Sequence, residues 1–199
     1  MKPLQIGITG GIGSGKSIVC QALKVLGIPV YNADEASKML LETNPDVIHS
    51  VTELLGNDAY HPDGKANRGY IAGIIFSNPD KLQGLNSILH PAVQRDYRNW
   101  VMTKTSSTIV VKEAAIMFES GSHKDMDTVI VITAPDELRI SRVMKRDGKS
   151  REDVQKIMTQ QLSQDEVVKR SDFVIVNDNE HLVIPQILKI IGDIKTNSN

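Results

Sequence analysis

Eight residues, Gly10-Gly11-Ile12-Gly13-Ser14-Gly15-Lys16-Ser17, constrain this chain more than any other stretch. They match G-x-x-x-x-G-K-[ST], the phosphate-binding loop, without a mismatch. The flanks agree with it. Leu4-Gln5-Ile6-Gly7-Ile8 is a short apolar run that reads as a buried strand. Val19, Ala22, Leu23 and Leu26 recur at helical spacing, and Gly27 supplies a stop. Glycines let the backbone adopt positive φ and aim its N–H groups at phosphate oxygens. A helix starting near Gly15 adds a partial positive charge. Lys16 supplies a cation for the β- and γ-phosphates, and the Ser17 hydroxyl is placed to ligate Mg²⁺. The competing reading is a glycine-rich turn that matches by chance; strand before and helix after favour a nucleoside-triphosphate loop.

At 199 residues the chain is long enough for one domain with a substantial core. Lys plus Arg number 23 and Asp plus Glu 24, so the charge balance points to neither nucleic acid nor membrane. The lone Cys20 cannot pair within the chain and reads as a small buried residue in a reducing, cytoplasmic protein. No signal peptide is expected ahead of the first strand, and no apolar run reaches the length of a membrane span.

Strands and helices alternate along the chain. Strands are expected at 28–31, 108–111, 128–132 and 173–176 in addition to the first. Between about 35 and 105 only helices are expected, at 36–41, 45–55, 69–76 and 79–102. The spacing predicts an α/β fold: a parallel five-stranded sheet flanked by helices, with the nucleotide beyond the carboxyl ends of the strands. It divides into a core of about 1–36 and 106–199 and a helical insertion of about 37–105, with a helical stretch of about 139–165 that can serve as a lid.

A phosphate loop leaves open what is done with the nucleotide. A guanine-nucleotide switch carries N-K-x-D and D-x-x-G, and neither occurs here. A motor ATPase needs an acidic strand end, for which Lys112-Glu113 is a weak candidate. The helical insertion suits a second substrate, which favours a small-molecule kinase. Asp34, just past the second strand, then reads either as the carboxylate that orients or deprotonates an acceptor hydroxyl or as a helix cap. Arg139, Arg142 and Arg146 stand at i, i+3 and i+7, one helical face. That face is either a lid over the triphosphate or a solvated surface.

These residues resemble the dephospho-CoA kinase family along nearly the whole chain. Thr9 through Ser17 is similar to the family's phosphate loop, and Asn32-Ala33-Asp34 stands where the family has Asp-Ala-Asp. Arg68, Ile75-Phe76, Asn78-Pro79, Leu85-Asn86 and His90-Pro91 resemble its helical insertion. Ile116-Met117-Phe118-Glu119 resembles its Leu-Leu-Phe-Glu segment, and Arg142, Arg146-Asp147 and Gln161 resemble its lid.

The resemblance implies transfer of a phosphoryl group from ATP to the ribose 3′-hydroxyl of dephospho-CoA, with Mg²⁺. It implies Gly11, Gly13, Ser14, Gly15, Lys16, Ser17 and Ile18 around the nucleotide and Ser17 on the metal. Asp34 becomes the base, and Lys16, Arg142 and Arg146 complete the catalytic set. Asp34, Arg68, His90 and Glu119 are the acceptor-side candidates, with His90 alternatively an ordinary helix-end histidine before Pro91. A monomer acting on a small molecule is expected. Three positions depart from the family pattern: Ile18 in place of Thr, Asn32 in place of Asp, and Glu113-Ala114-Ala115 in place of a Val-Pro segment. The alternative is a kinase for another small acceptor, such as a nucleoside monophosphate.

Overall fold

The structure, a computed structural model, describes residues 2–197. They fall into two compact units, Met1–Tyr31 with Lys104–Asn199, and Asn32–Thr103.

The first unit is built on a sheet of β1 (Leu4–Thr9), β2 (Val30–Asn32), β3 (Ile109–Glu113), β4 (Thr128–Thr133) and β5 (Phe173–Val176), in the order β2-β3-β1-β4-β5. β1 pairs in parallel with β3 on one side and β4 on the other, and β4 pairs in parallel with β5. A strand buried on both faces is nearly continuous in apolar, often β-branched, residues, which is what Ile109-Val110-Val111 and Val129-Ile130-Val131-Ile132 supply. Ile6, Ile8, Ile109, Val111, Ile130 and Ile132 line one face. Against it pack Val19, Cys20 and Leu23 of α1 (Lys16–Val25) and Ile187, Ile190, Ile191 and Ile194 of α9 (Val183–Asn197). Each such side chain contributes about 1.5–3 kcal/mol when fully buried, so this layer is the main stabiliser of the unit. On the opposite face Gly7 leaves room for Met117, whose Sδ would lie 2.5 Å from a Cβ built there.

The sequence ends the third strand at Val111, whereas β3 continues through Lys112 and Glu113, which pair with Gly7 and Ile8. Central position overrides the polar composition of these two residues. At the β5 edge the Gln186 side chain accepts from Val176 N at 2.9 Å and donates to Val176 O at 2.9 Å.

Three helices fill the stretch from β4 to β5. α6 (Asp136–Asp147) stops at Gly148, whose left-handed φ of 66° lets its N–H return to Met144 O at 3.0 Å. α7 (Arg151–Thr159) starts at Ser150, whose side chain caps Asp153 N, and α8 (Gln164–Arg170) starts at Ser163, which caps Glu166 N. Ile140, Val143 and Val154 form a small core of their own, joined by Met158 and by Ile12 from the glycine loop.

The second unit contains α2 (Ala33–Thr43), α3 (Pro45–Leu55), α4 (Arg68–Ser77) and α5 (Pro79–Met102). An asparagine caps the start of each: Asn32 for Glu35 N, Asn44 for Asp46 N and Val47 N, Asn67 for Tyr70 N, and Asn78 for Lys81 N. Pro45 and Pro79 follow two of these caps at the first helical position. Leu40, Val47, Val51, Leu55, Leu89, Val93 and Tyr97 are buried. His90 sits inside α5, which runs through Pro91, and so is not the helix-end residue that a following proline suggests. Among the described residues no helix is long and apolar enough to cross a membrane.

Candidate active site

β1 delivers the chain to the glycine loop at the carboxyl end of the sheet, and α1 leaves it at Lys16. The helix has no side-chain cap, because Gly15 occupies the cap position in a left-handed conformation (φ 96°). A helix start without a side-chain cap favours an anion through its N-terminal partial charge. Gly13 also has positive φ (78°), and a Cβ on it would lie 2.5 Å from Arg139 O. Lys16 Nζ donates to Gly10 O at 2.7 Å, folding the side chain back along the loop. Ser17 and Ile18 are exposed on the first turn of α1.

Side chains from distant parts of the chain hold the loop. Arg139, only 5% exposed, donates through Nε to Ile12 O at 3.0 Å and through Nη1 to Asp136 Oδ1 at 2.9 Å. Gln161 Oε1 accepts from Ile12 N at 2.9 Å. With its side chain in the α6–α7 core, Ile12 is gripped by backbone and side chain together. Asn177, buried just past β5, donates through Nδ2 to Ser14 O at 2.8 Å. Arg142 Nη1 donates to Asn177 O at 3.0 Å and approaches Gly13 O at 3.5 Å, while its Nη2 donates to Asn179 Oδ1 at 2.7 Å. Arg139 further lines a cleft of about 780 Å³ formed with α7 and the start of α8. That volume is within the range of small-molecule sites, about 300–1,000 Å³.

The three arginines of α6 thus do different things. Arg139 is buried under the loop, Arg142 bridges the loop and the β5 end, and Arg146 is exposed in a two-pronged pair with Asp147 at 2.6 and 2.8 Å. That pair raises the Arg146 pKa above its ordinary value. Glu119 is exposed and accepts from Leu162 N at 3.0 Å. Burial, and then the Glu113 carboxylate to which its thiol donates, push the Cys20 pKa well above the thiol range. Cys20 is an inert core residue.

In the second unit Asp34 is exposed in the first turn of α2. The cap of that helix is Asn32, whose side chain accepts from Glu35 N at 3.0 Å. The capping role that competes with chemistry at Asp34 therefore belongs to its neighbour. Arg68, at the start of α4, pairs with Glu42 Oε1 at 2.9 Å. Sequence reasoning did not single out Asn177 or Asn179. Asn177-Asp178-Asn179 reads as an ordinary polar turn after a strand, and its contact with the loop is visible only in three dimensions.

A parallel sheet in the order β2-β3-β1-β4-β5, with a glycine loop between its central strand and α1, defines a P-loop kinase-like α/β phosphotransferase fold. The dephospho-CoA kinase model matches residues 4–182, and the chain belongs to that family. A dephospho-CoA kinase of Bacteroides fragilis is 39% identical over 189 residues, 95% of this chain and 92% of that one. The crystal structure of a Thermus thermophilus protein superposes with a TM-score of 0.85 at 28% identity, covering 100% of both chains. The structure of a dephospho-CoA kinase from Campylobacter jejuni superposes with a TM-score of 0.71 at 25% identity, covering 98% of each.

Proposed function

We propose that the chain transfers the γ-phosphoryl group of ATP to the ribose 3′-hydroxyl of dephospho-CoA, giving coenzyme A and ADP, the last step of coenzyme A biosynthesis. The family match over residues 4–182 carries this reading. In phosphoryl transfer the protein contributes positioning and charge stabilisation and little covalent chemistry. Amides of the glycine loop and of the uncapped end of α1 take the phosphates, though not that of Ile12, which Gln161 already occupies. Lys16 leaves Gly10 O to neutralise charge that grows on the β- and γ-phosphates. Arg142 and Arg146 complete the cationic wall from α6, in the part of the chain we assign to the lid.

Asp34 is assigned as the base that orients and deprotonates the acceptor hydroxyl. Its exposed carboxylate, released from capping by Asn32, supports the assignment. Arg68, His90 and Glu119 are assigned to the acceptor side, within an insertion of about 37–105 and at the segment after β3. Mg²⁺, when bound, would be held by the Ser17 hydroxyl and would neutralise phosphate charge. A hydroxyl oxygen is a hard donor that suits this ion. Among the described residues no cluster of three or more His, Cys, Asp or Glu forms a cage, and Mg²⁺ in kinases leans on substrate phosphates instead. A monomer in a reducing cytoplasm fits the single buried thiol.

Coupled ADP release tests the assignment, with dephospho-CoA set against AMP, CMP and shikimate as acceptors. Turnover is expected with dephospho-CoA alone. Preferred turnover of a rival acceptor, or slow hydrolysis indifferent to all four, would overturn it.

A further inference from the structure

We propose that Asn177 is a positioning residue for phosphoryl transfer, a connector whose side-chain amide sets the last turn of the glycine loop while its backbone oxygen holds Arg142 beside it. The proposal rests on the kinase reading above. Three observations carry it. Asn177 is 6% exposed and lies at the carboxyl end of β5, fixed by its own N–H to Thr133 O at 2.9 Å. Its Nδ2 donates to Ser14 O at 2.8 Å, across 163 residues of sequence. Its backbone oxygen takes Arg142 Nη1 at 3.0 Å, and its Oδ1 lies 3.4 Å from Arg142 Nη2.

The chemistry of the side chain is specific. One end must donate, because Ser14 presents a carbonyl; the other must accept, because Arg142 presents only donors. Aspartate cannot donate, leucine can do neither, and glutamine is one methylene too long for a site this tightly closed. The reversed amide would set oxygen against oxygen at Ser14. The closeness of the site is shown by Gly15, where any Cβ would overlap Nδ2 of Asn177. The glycine before Lys16 is therefore required by the asparagine as well as by its φ of 96°. Ser14 O is the last carbonyl before the cap of α1, so the amide that holds it fixes the direction in which the first turn of α1, and Lys16 with it, faces the phosphates. The same residue meets the arginine of α6, through its backbone oxygen at 3.0 Å and more distantly through Oδ1 at 3.4 Å, with Asn179 Oδ1 taking Nη2 at 2.7 Å, so loop and arginine meet at one residue.

The test uses Asn177→Asp, Asn177→Ala and their combinations with Arg142→Ala, measuring kcat and KM for ATP, the melting temperature and ATP binding without acceptor. Asn177→Asp keeps the volume and the acceptor for Arg142 but faces Ser14 O with a second acceptor. We expect kcat/KM for ATP to fall roughly ten-fold or more, the scale of a misplaced reactive group, with the protein folded at assay temperature. In the Asn177→Ala/Arg142→Ala pair the combined loss should fall short of the product of the single losses, since both changes remove the Oδ1–Nη2 contact while the backbone oxygen of residue 177 stays in place. A lowered melting temperature with wild-type kcat/KM would make Asn177 merely structural and overturn the proposal, as would fully multiplicative losses. If Asn177→Ala does not fold, the near-isosteric aspartate variant decides. If the wild type ignores dephospho-CoA, the kinase reading fails while ATP affinity still judges Asn177: weaker binding in Asn177→Asp supports it and equal binding overturns it.

Discussion

Replacing Gly15 by alanine separates backbone strain from side-chain conflict, because Gly27 provides a matched control. Both glycines have positive φ, 96° and 78°. An L-residue in that region costs roughly 1–2 kcal/mol. Nothing lies within 4 Å of a Cβ at Gly27, so Gly27→Ala meets the backbone term alone. At Gly15 the added methyl overlaps Asn177 Nδ2 and displaces the amide from Ser14 O. A buried carbonyl deprived of its donor adds about 1–3 kcal/mol. For a chain of this size each kcal/mol moves the melting temperature by about 2–4 °C, so we expect roughly 9 °C for Gly15→Ala and roughly 4 °C for Gly27→Ala. Differential scanning fluorimetry measures both, and coupled ADP release follows function. Gly15→Ala should also lose about 10²-fold in kcat, because the start of α1 shifts, while Gly27→Ala keeps wild-type turnover. Equal melting shifts for the two variants, or full activity in Gly15→Ala, would refute the account of how the loop is held.

Lys16→Ala should leave melting unchanged and abolish turnover, since its charge acts mainly in the transition state; near-normal rates would remove the phosphate-loop assignment. Asp34→Asn should reduce kcat roughly 10²–10⁴-fold without loss of stability, whereas Asn32→Ala should cost about 1 kcal/mol by loss of the cap, a contrast read by kinetics and melting side by side. If Asp34→Asn is fully active, the base lies elsewhere. His181 hydrogen-bonds Asp178 at 2.8 Å, and that bond raises the histidine pKa above its ordinary value. The stabilisation is therefore complete below the unfolded histidine value and is lost as pH rises through the raised folded one. The melting difference between wild type and His181→Gln should shrink as pH rises from below the ordinary histidine value to above the raised folded one, and a difference that grows with pH would contradict the pairing.

The parts of the fold legible in the sequence were those written locally. β1, the glycine loop and α1 follow from an apolar run, a spacing rule and a helical period, and Ile130 or Val174 needed only their apolar neighbours to be placed in strands. Lys112 was misjudged because its charge argued against a strand, yet it lies 2% exposed in β3 opposite Gly7. The period of α6 put Arg139, Arg142 and Arg146 on one face, but period says nothing of what rests on that face. Ile12 covers Arg139, Asn177 and Asn179 engage Arg142, and Arg146 turns to Asp147. Asn32 and Asp34 are both good caps on paper. The choice between them is made by the backbone, extended at Asn32 and helical from Ala33.

The strand order has a bearing on how the chain is made. β1 is synthesised first but lies at the centre of the sheet, where Leu4 pairs with Ile109 and Ile6 with Thr128. Its edges stay open on the ribosome until most of the polypeptide has emerged, a long-range closure that slows sheet assembly. The segment Asn32–Thr103 has no such delay, for its helices are contiguous and each begins with its own asparagine cap. Helix formation there should precede sheet formation during synthesis at about 5–20 residues per second. In the interval the apolar Ile6 and Ile8 are without strand partners, which makes the beginning of this chain the stretch most dependent on rapid completion or on a chaperone.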